Sequence, residues 1–294
     1  MEWIYFTLAA MLLWTVVNIF DKYIISHELR DPMMVTTVFG FVIYLVFIIA
    51  SFIFDGAQVL DTEVKLASMF AGVFYSVALW FYYYVMKREE VSKFVPILSL
   101  EPFIIMILAY FLFDEKFKIL NYMGVVLIVI GAIVISIQKH KQKIKHKHLI
   151  FFALFSVFLF TARNILFKFA TGDPSDFWAV MFWSGVGGII VPILLFIFHH
   201  PHLRKQGWEG VYHLSFNALL SGIALIFFTK AIATGTVSLA AALLATKPML
   251  VFLVATFLSF FHPKIMRERI TKPVLIKKTI AIILIVAGGV CIVM

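Results

Sequence analysis

Long, continuous apolar runs fill most of this sequence and limit what it can fold into. A helix that crosses the hydrocarbon core of a bilayer needs about 20 residues, and runs of that length recur along the chain. Because the runs are continuous rather than alternating in polarity, they favour helices over the strands of a closed barrel. We therefore predict an all-α integral membrane protein with ten transmembrane helices, at about 3–25, 32–54, 66–86, 92–113, 119–138, 148–170, 175–198, 211–233, 236–261 and 275–294.

The composition excludes several other classes of protein. The chain has 63% hydrophobic and 14% charged residues, so we do not expect a water-soluble domain, because its surface would be almost wholly apolar. The net charge of +9 comes mainly from loops between the apolar runs, so we expect no nucleic-acid partner. The single cysteine, Cys291, allows no disulfide within the chain, and we predict neither a metal nor another cofactor. The sequence contains no nucleotide-binding, metalloprotease or serine-hydrolase motif, so we predict no enzymatic activity.

The sequence also contains an internal repeat. A constant step of 146 residues relates Glu101-Pro102 to Lys247-Pro248 and also relates Thr15 to Thr161, Asn18 to Asn164, Lys22 to Lys168, Ala78 to Ala224 and Val91 to Val237. Near the C-terminus the step becomes 157 residues, because about eleven residues are inserted. We predict a first five-helix repeat at 1–138, a basic cytoplasmic connector at 139–147 and a second five-helix repeat at 148–294. Five is an odd number, so the second repeat enters the membrane inverted relative to the first.

The basic residues of the loops predict the orientation of the chain in the membrane. The loops after the odd-numbered predicted helices contain 17 lysines and arginines, whereas the opposite loops contain only three, Lys65, Lys116 and Lys118. Cytoplasmic loops of membrane proteins carry such an excess of positive charge. We therefore predict a multi-pass protein of the cell (inner) membrane with both termini outside the cytoplasm.

Two charged residues interrupt equivalent apolar runs. Glu101 and Lys247 lie near the middle of their runs, and each precedes a proline, Pro102 or Pro248. A proline removes a helical hydrogen bond and bends the helix, and transporter sites are often built where such interrupted helices meet. We expect the fourth and ninth helices to cross there and to hold Glu101 against Lys247. Such a pair either belongs to the path of a solute or proton or is a static ion pair that fixes helix packing.

Two further motifs resemble those of a known family. The fourth predicted helix ends in Phe-Leu-Phe-Asp-Glu-Lys at 111–116, and Lys-Ala-Ile-Ala-Thr-Gly-Thr-Val-Ser at 230–238 joins the eighth helix to the ninth. With ten helices in two repeats, the chain resembles the EamA-type transporters of the drug/metabolite transporter superfamily. The resemblance implies a secondary transporter that moves a small organic metabolite, an amino acid or related solute, through a cavity between the repeats. We expect export by alternating access, in a monomer or homodimer.

Polar residues on the first and sixth helices extend the predicted site. Trp14, Asn18 and Asp21 have i, i+4, i+7 spacing and share one helix face. In the second repeat Asn164 is equivalent to Asn18, and Arg163 lies beside it. The two asparagines either bind a solute or hydrogen-bond between helices, a common contact in membranes. Arg163 lies deeper in its run than Lys168 does, so a headgroup contact explains it less well.

Tyr84 and Lys230 are one more repeat-related pair. Tyr84 faces a cavity or belongs to an aromatic belt at the membrane interface. Arg163, Lys230 and Lys247 outnumber Glu101 and Asp21, which slightly favours a solute with a carboxylate or phosphate. An exchanger of phosphate-bearing solutes such as sugar phosphates is therefore an alternative function, and a membrane-embedded lipid enzyme is a more distant one.

The coupling ion stays open at the level of the sequence. Burial favours the protonated form of Glu101, whereas a neighbouring lysine favours its carboxylate, so the residue is either a proton carrier or a permanent anion. A proton that reached Glu101 would break its pairing with Lys247 and favour the other access state. Coupling of transport to the movement of protons is therefore one of the two alternatives for Glu101.

Overall fold

A computed structural model describes residues 2–27, 31–54, 60–88, 97–136, 147–199, 208–261 and 272–293. These residues form α-helices joined by short connections, with no strand among them. The helices are α1 (Glu2–His27), α2 (Pro32–Ile53), α3 (Thr62–Arg88), α4 (Glu101–Phe113), α5 (Ile119–Ser136), α6 (Lys147–Ala170), α7 (Phe177–His199), α8 (Trp208–Thr234), α9 (Val237–Leu244), α10 (Lys247–Phe261) and α11 (Lys272–Val293). The predicted connector at 139–147 lies outside the described residues except for Lys147.

Seven segments of this bundle are long and apolar enough to cross a membrane. They are Glu2–Asp21, Pro32–Ile53, Thr62–Arg88, His148–Ala170, Phe177–His199, Trp208–Thr234 and Val237–Val254. Two shorter apolar helices, Glu101–Phe113 and Ile119–Ile135, accompany them. The chain is therefore an all-helical membrane protein, and seven of the ten predicted spans meet this criterion of length and composition within the described residues.

Two of the predicted spans are broken in the middle. Residues 99–100 form a turn before α4, and residues 245–246 form a turn between α9 and α10. Pro102 and Pro248 follow these turns in the first turn of α4 and of α10, where the missing N–H of proline costs no helical hydrogen bond. The prolines thus begin new helices instead of bending continuous ones, and α4 and α10 start at Glu101 and Lys247.

Most of the close helix packing joins the first half of the chain to the second. The pairs are α1 with α8, α3 with α6, α2 with α7 and α8, α3 with α7, α4 with α6 and α9, and α5 with α11. Close to the crossing of α3 and α7, the Tyr44 hydroxyl of α2 donates a 2.8 Å hydrogen bond to the Gly72 carbonyl of α3. The Ser76 hydroxyl donates to the Gly188 carbonyl at 2.8 Å. These bonds satisfy buried polar groups and fix the register of α2, α3 and α7.

Glycines allow α5 and α11 to approach closely at two levels. A Cβ atom on Gly124 would lie 2.8 Å from the Gly288 carbonyl oxygen, and one on Gly131 would lie 2.9 Å from the Ala281 carbonyl oxygen. The repeat step of 157 residues converts one contact into the other, because Gly124 corresponds to Ala281 and Gly131 to Gly288. The two contacts therefore join equivalent positions of the sequence repeat.

Candidate functional site

A cavity of about 450 Å³ lies inside the bundle, and residues of both halves line it. Nine of the eleven residues predicted for the site are among its lining residues: Trp14, Asn18, Asp21, Glu101, Pro102, Arg163, Asn164, Lys247 and Pro248. They come from α1, α4, α6 and α10, which the packing of the bundle brings together. The cavity therefore unites charged and polar side chains that are far apart in the sequence.

The broken helices place two charges at the cavity wall. Glu101 is the first residue of α4 and Lys247 the first residue of α10. The positive end of the helix dipole favours a carboxylate at Glu101 and disfavours an ammonium group at Lys247. Lys247 therefore needs compensation from nearby carboxylates, and both Glu101 and Asp21 lie within its electrostatic range.

Asn164 connects the two charged residues Arg163 and Glu101. The Arg163 Nη1 donates a 2.6 Å hydrogen bond to the Asn164 Oδ1, and the Asn164 Nδ2 donates a 2.9 Å hydrogen bond to the Glu101 Oε1. Arg163 is only 2% exposed, and its Nη2 has no hydrogen-bond partner in the part of the chain that the structure describes. The Asn164 amide thus joins a buried cation to a half-buried acid by two hydrogen bonds.

Asp21 forms a second acidic point of the cavity. It is 6% exposed, and its Oδ1 accepts a 2.8 Å hydrogen bond from the Asn217 Nδ2 of α8. One turn further along α8, the Ser221 hydroxyl accepts a 3.0 Å hydrogen bond from the Trp14 Nε1 of α1. These contacts attach the polar face of α1 to α8 and hold Trp14 and Asp21 in place on the cavity wall.

Lys247 does not touch either carboxylate. Its Nζ lies 5.5 Å from the centroid of the Trp14 ring, and no ion pair within 4.0 Å joins it to another described residue. Glu101 instead takes its hydrogen bond from Asn164, so the expected pair of Glu101 and Lys247 is an electrostatic interaction across the cavity without direct contact. Both side chains line the same cavity.

Tyr84 and Lys230 lie away from the cavity lining. The Tyr84 ring packs edge-on against Phe152, with the Arg88 guanidinium 3.6 Å from its centroid. The Lys230 Nζ lies 4.3 Å from the centroid of the Phe177 ring. The structure therefore does not bring these two predicted residues together with the other nine.

The sequence analysis missed several residues that do line the cavity. On α3 they are Tyr75, Leu79, Tyr82, Tyr83 and Met86. Their i, i+4, i+7, i+8 and i+11 spacing marks one helix face, and this periodicity is the signal that could have separated them from Tyr84.

Lys278, one of the 17 basic residues used to predict the orientation, was also missed as a residue of the site. It lies within α11, is 8% exposed and lines the cavity, with its Nζ 3.9 Å from the Phe252 centroid. Asp21, Glu101, Arg163, Lys247 and Lys278 together give the cavity charges of both signs. A solute that carries both signs would find complementary groups in it.

Comparisons with known proteins agree with this architecture. Residues 1–137 match the model of the EamA-like transporter family, which confirms the predicted resemblance. Over 134 residues the chain is 31% identical to the "Probable amino-acid metabolite efflux pump" of Escherichia coli (strain K12), a match that covers 42% of this chain and 45% of that protein. A solved crystal structure covers 99% of this chain and 96% of its own, with a TM-score of 0.77 and 16% identity, a likeness that shows the fold alone.

Proposed function

We propose that the protein is a secondary transporter that exports a small organic metabolite, an amino acid or a related solute, by alternating access. One observation carries the proposal: a single internal cavity takes opposite charges from both halves of the chain. Ionisable residues inside a membrane bundle are costly and usually mark the path of a solute or ion. The family match and the name of the Escherichia coli relative support the same function.

The ten spans and the inverted repeat are part of this proposal. We take α9 and α10 as one broken span and α4, with the turn before it, as the equivalent span of the first half. Under this assignment the repeat operation exchanges the pair α1–α8 with α6–α3, and the pair α2–α8 with α7–α3. This exchange of packing pairs supports repeats at 1–138 and 148–294 that are related by a two-fold axis in the membrane plane.

The charges of the cavity favour a zwitterionic solute. Asp21 and Glu101 offer carboxylates to an ammonium group, whereas Arg163 and Lys247 offer donors to a carboxylate. An exchanger of phosphate-bearing solutes has weaker support, because Lys230 lies away from the cavity lining. An amino acid or close derivative therefore fits these groups better than a sugar phosphate does.

A thermal-shift screen of the purified protein tests the proposal. Amino acids, organic cations, sugar phosphates and nucleotides are added separately, since a ligand of the folded state raises the melting temperature in proportion to ln(1 + [L]/Kd). We expect an amino acid or related solute to shift the wild type and to lose most of its effect on Lys247→Ala. The matched control is Lys230→Ala, which removes the same charge outside the cavity and should keep the shift.

Efflux from loaded proteoliposomes completes the test. The solute found in the screen should leave wild-type vesicles faster than protein-free vesicles and should leave Lys247→Ala vesicles at close to the protein-free rate. Absence of any carrier-dependent flux for solutes that bind would overturn transport as the function. A shift by sugar phosphates alone would replace the proposed solute class with the alternative.

A further inference from the structure

Glu115 of the first half caps a helix of the second half. Asp114 ends α4 in the left-handed conformation, with φ 51°, and this turn directs the following residue back into the bundle. Glu115 is 8% exposed, and its carboxylate accepts hydrogen bonds from the Val237 N–H (2.9 Å), the Ser238 N–H (3.3 Å) and the Ser238 hydroxyl (2.6 Å). The free N–H groups at the start of α9 are thus satisfied by a buried acid from α4.

Lys168 of α6 binds the other side of the same linker. Its Nζ donates to the Ile232 carbonyl at 3.1 Å and to the Gly235 carbonyl at 2.6 Å, at the C-terminal end of α8. An ammonium group is favourable there because the carbonyls at a helix C-terminus carry partial negative charge. The linker between α8 and α9, residues 235–236, is therefore held by a cation on one side and by an anion on the other.

An apolar plug lies between this linker and the cavity. Its buried members include Ala10 on α1, Ile105 and Ala109 on α4, Ile232 on α8 and Val237 on α9. On each of these helices the plug residues lie nearer the linker than the cavity-lining residues do. The end of the bundle at the linker is thus closed by apolar packing, and the start of α9 is part of that closure.

The sequence provides the acid of this cap in only one of the two repeats. The step of 146 residues relates Val237 to Val91 and Ser238 to Ser92, but it relates Glu115 to Phe261. A phenylalanine side chain accepts no backbone hydrogen bond, so the sequence places no carboxylate at the position equivalent to Glu115. The two halves of the sequence therefore differ at this pair of equivalent positions.

We propose that Glu115 is a positioning residue that keeps the linker end of the cavity closed by clamping α9 to α4, and that the other access state forms when this clamp is released. The inference rests on the proposed alternating access, because only a transporter has to open this closed end of the cavity during its cycle. The loss of three hydrogen bonds to one carboxylate should shift the population towards the state that is open at the linker end.

Cysteine labelling of a residue in the plug tests the clamp without any solute. Cys291, the single cysteine, is replaced by Ser, and Ala241, which is 6% exposed and lines both plug and cavity, is replaced by Cys. A membrane-impermeant thiosulfonate is then applied to either side of reconstituted vesicles. Labelling of a separate Lys118→Cys variant, an exposed residue of the loop after α4, identifies the linker side independently of the predicted topology.

In this background Glu115→Gln should raise the labelling rate at Ala241→Cys from the linker side about tenfold, which corresponds to a shift of about 1.4 kcal/mol between the states. Ser238→Ala removes only the 2.6 Å bond and should give a smaller rise from the same side, and it carries the test if Glu115→Gln does not fold. Asp114→Asn is the matched control, because Asp114 is exposed and pairs with Lys116 at 2.6 Å.

An unchanged rate from the linker side in these variants would overturn the proposal. An equal rise from both sides would also overturn it, because it would mean general loosening of the bundle rather than release of one end. The labelling experiment contains no solute, so its result does not depend on the solute screen. A failed solute screen would count against the proposed function, whereas the two labelling results above would count against the clamp.

Discussion

Replacement of Asn164 by alanine should destabilise the protein much more than the same replacement of Asn18, its repeat equivalent in the cavity wall. The substitution removes the hydrogen bonds at 2.6 Å to Arg163 and at 2.9 Å to Glu101, and it leaves a buried and a half-buried charged group without these partners. A hydrogen bond to a charged group contributes about 1.5–3 kcal/mol, so a loss of about 3 kcal/mol is expected even if the two bonds are not additive. At about 2 °C per kcal/mol for a large domain, the melting temperature should fall by about 6 °C.

The assay is thermal unfolding in detergent, followed by tryptophan fluorescence, with Asn18→Ala as the matched control. Asn18 is the repeat equivalent of Asn164 and lines the same cavity, but it forms no hydrogen bond to another side chain among the described residues. Its truncation should therefore cost less than about 1 kcal/mol.

A double-mutant cycle with Glu101→Ala decides whether the reasoning is correct. Once the carboxylate is gone, removal of Asn164 should cost less, with a coupling free energy of about 1 kcal/mol or more. Costs that simply add, or an Asn164→Ala effect no larger than that of Asn18→Ala, would refute the view that this amide joins the charged groups of Arg163 and Glu101.

Three further predictions concern packing, capping and coupling. Gly288→Val places side-chain atoms against the α5 backbone and should destabilise the protein by about 3 kcal/mol. In the control Gly289→Ala, the added methyl group meets nothing within 4 Å, so this variant should be neutral or more stable by about 0.5 kcal/mol. Thermal unfolding of both variants measures these differences. Lys168→Met removes two hydrogen bonds to carbonyls of α8 and its linker and should lower the unfolding free energy by about 2 kcal/mol in the same assay. Glu101→Gln should make efflux from proteoliposomes insensitive to an imposed pH gradient, and a gradient dependence equal to that of the wild type would contradict a role of Glu101 as proton carrier.

Much of the fold could be predicted because its determinants are local. Seven of the predicted spans coincide with helices that are long and apolar enough to cross a membrane, since the length of an apolar run alone decides whether it can do so. The breaks before Glu101 and Lys247 were predicted only as bends. Proline marks the place where a helix is interrupted, but whether the helix kinks or ends there depends on the contacts that surround the turn.

The cavity could be predicted in part, from polar residues at helical spacing inside apolar runs. This reasoning found Trp14, Asn18 and Asp21, because three polar or amphipathic residues on one face of a membrane helix need an environment other than lipid. It was misled at Tyr84, where five consecutive aromatic residues on α3 hide which of them faces inward. The choice between Tyr83 and Tyr84 depends on the rotation of α3 about its axis, which packing against α6 and α7 sets.

The sequence by itself determined that the chain enters a membrane as helices, that two halves are related by a constant step, and that opposite charges occupy equivalent positions in them. Only the tertiary structure decided that Glu101 binds Asn164 instead of Lys247, that Lys278 belongs to the cavity, and that Glu115 and Lys168 hold the linker between α8 and α9. The physical reason is the range of the forces involved. Hydropathy and periodicity act along one helix, whereas hydrogen bonds of a few ångströms depend on the register between helices that are more than 60 residues apart in the chain.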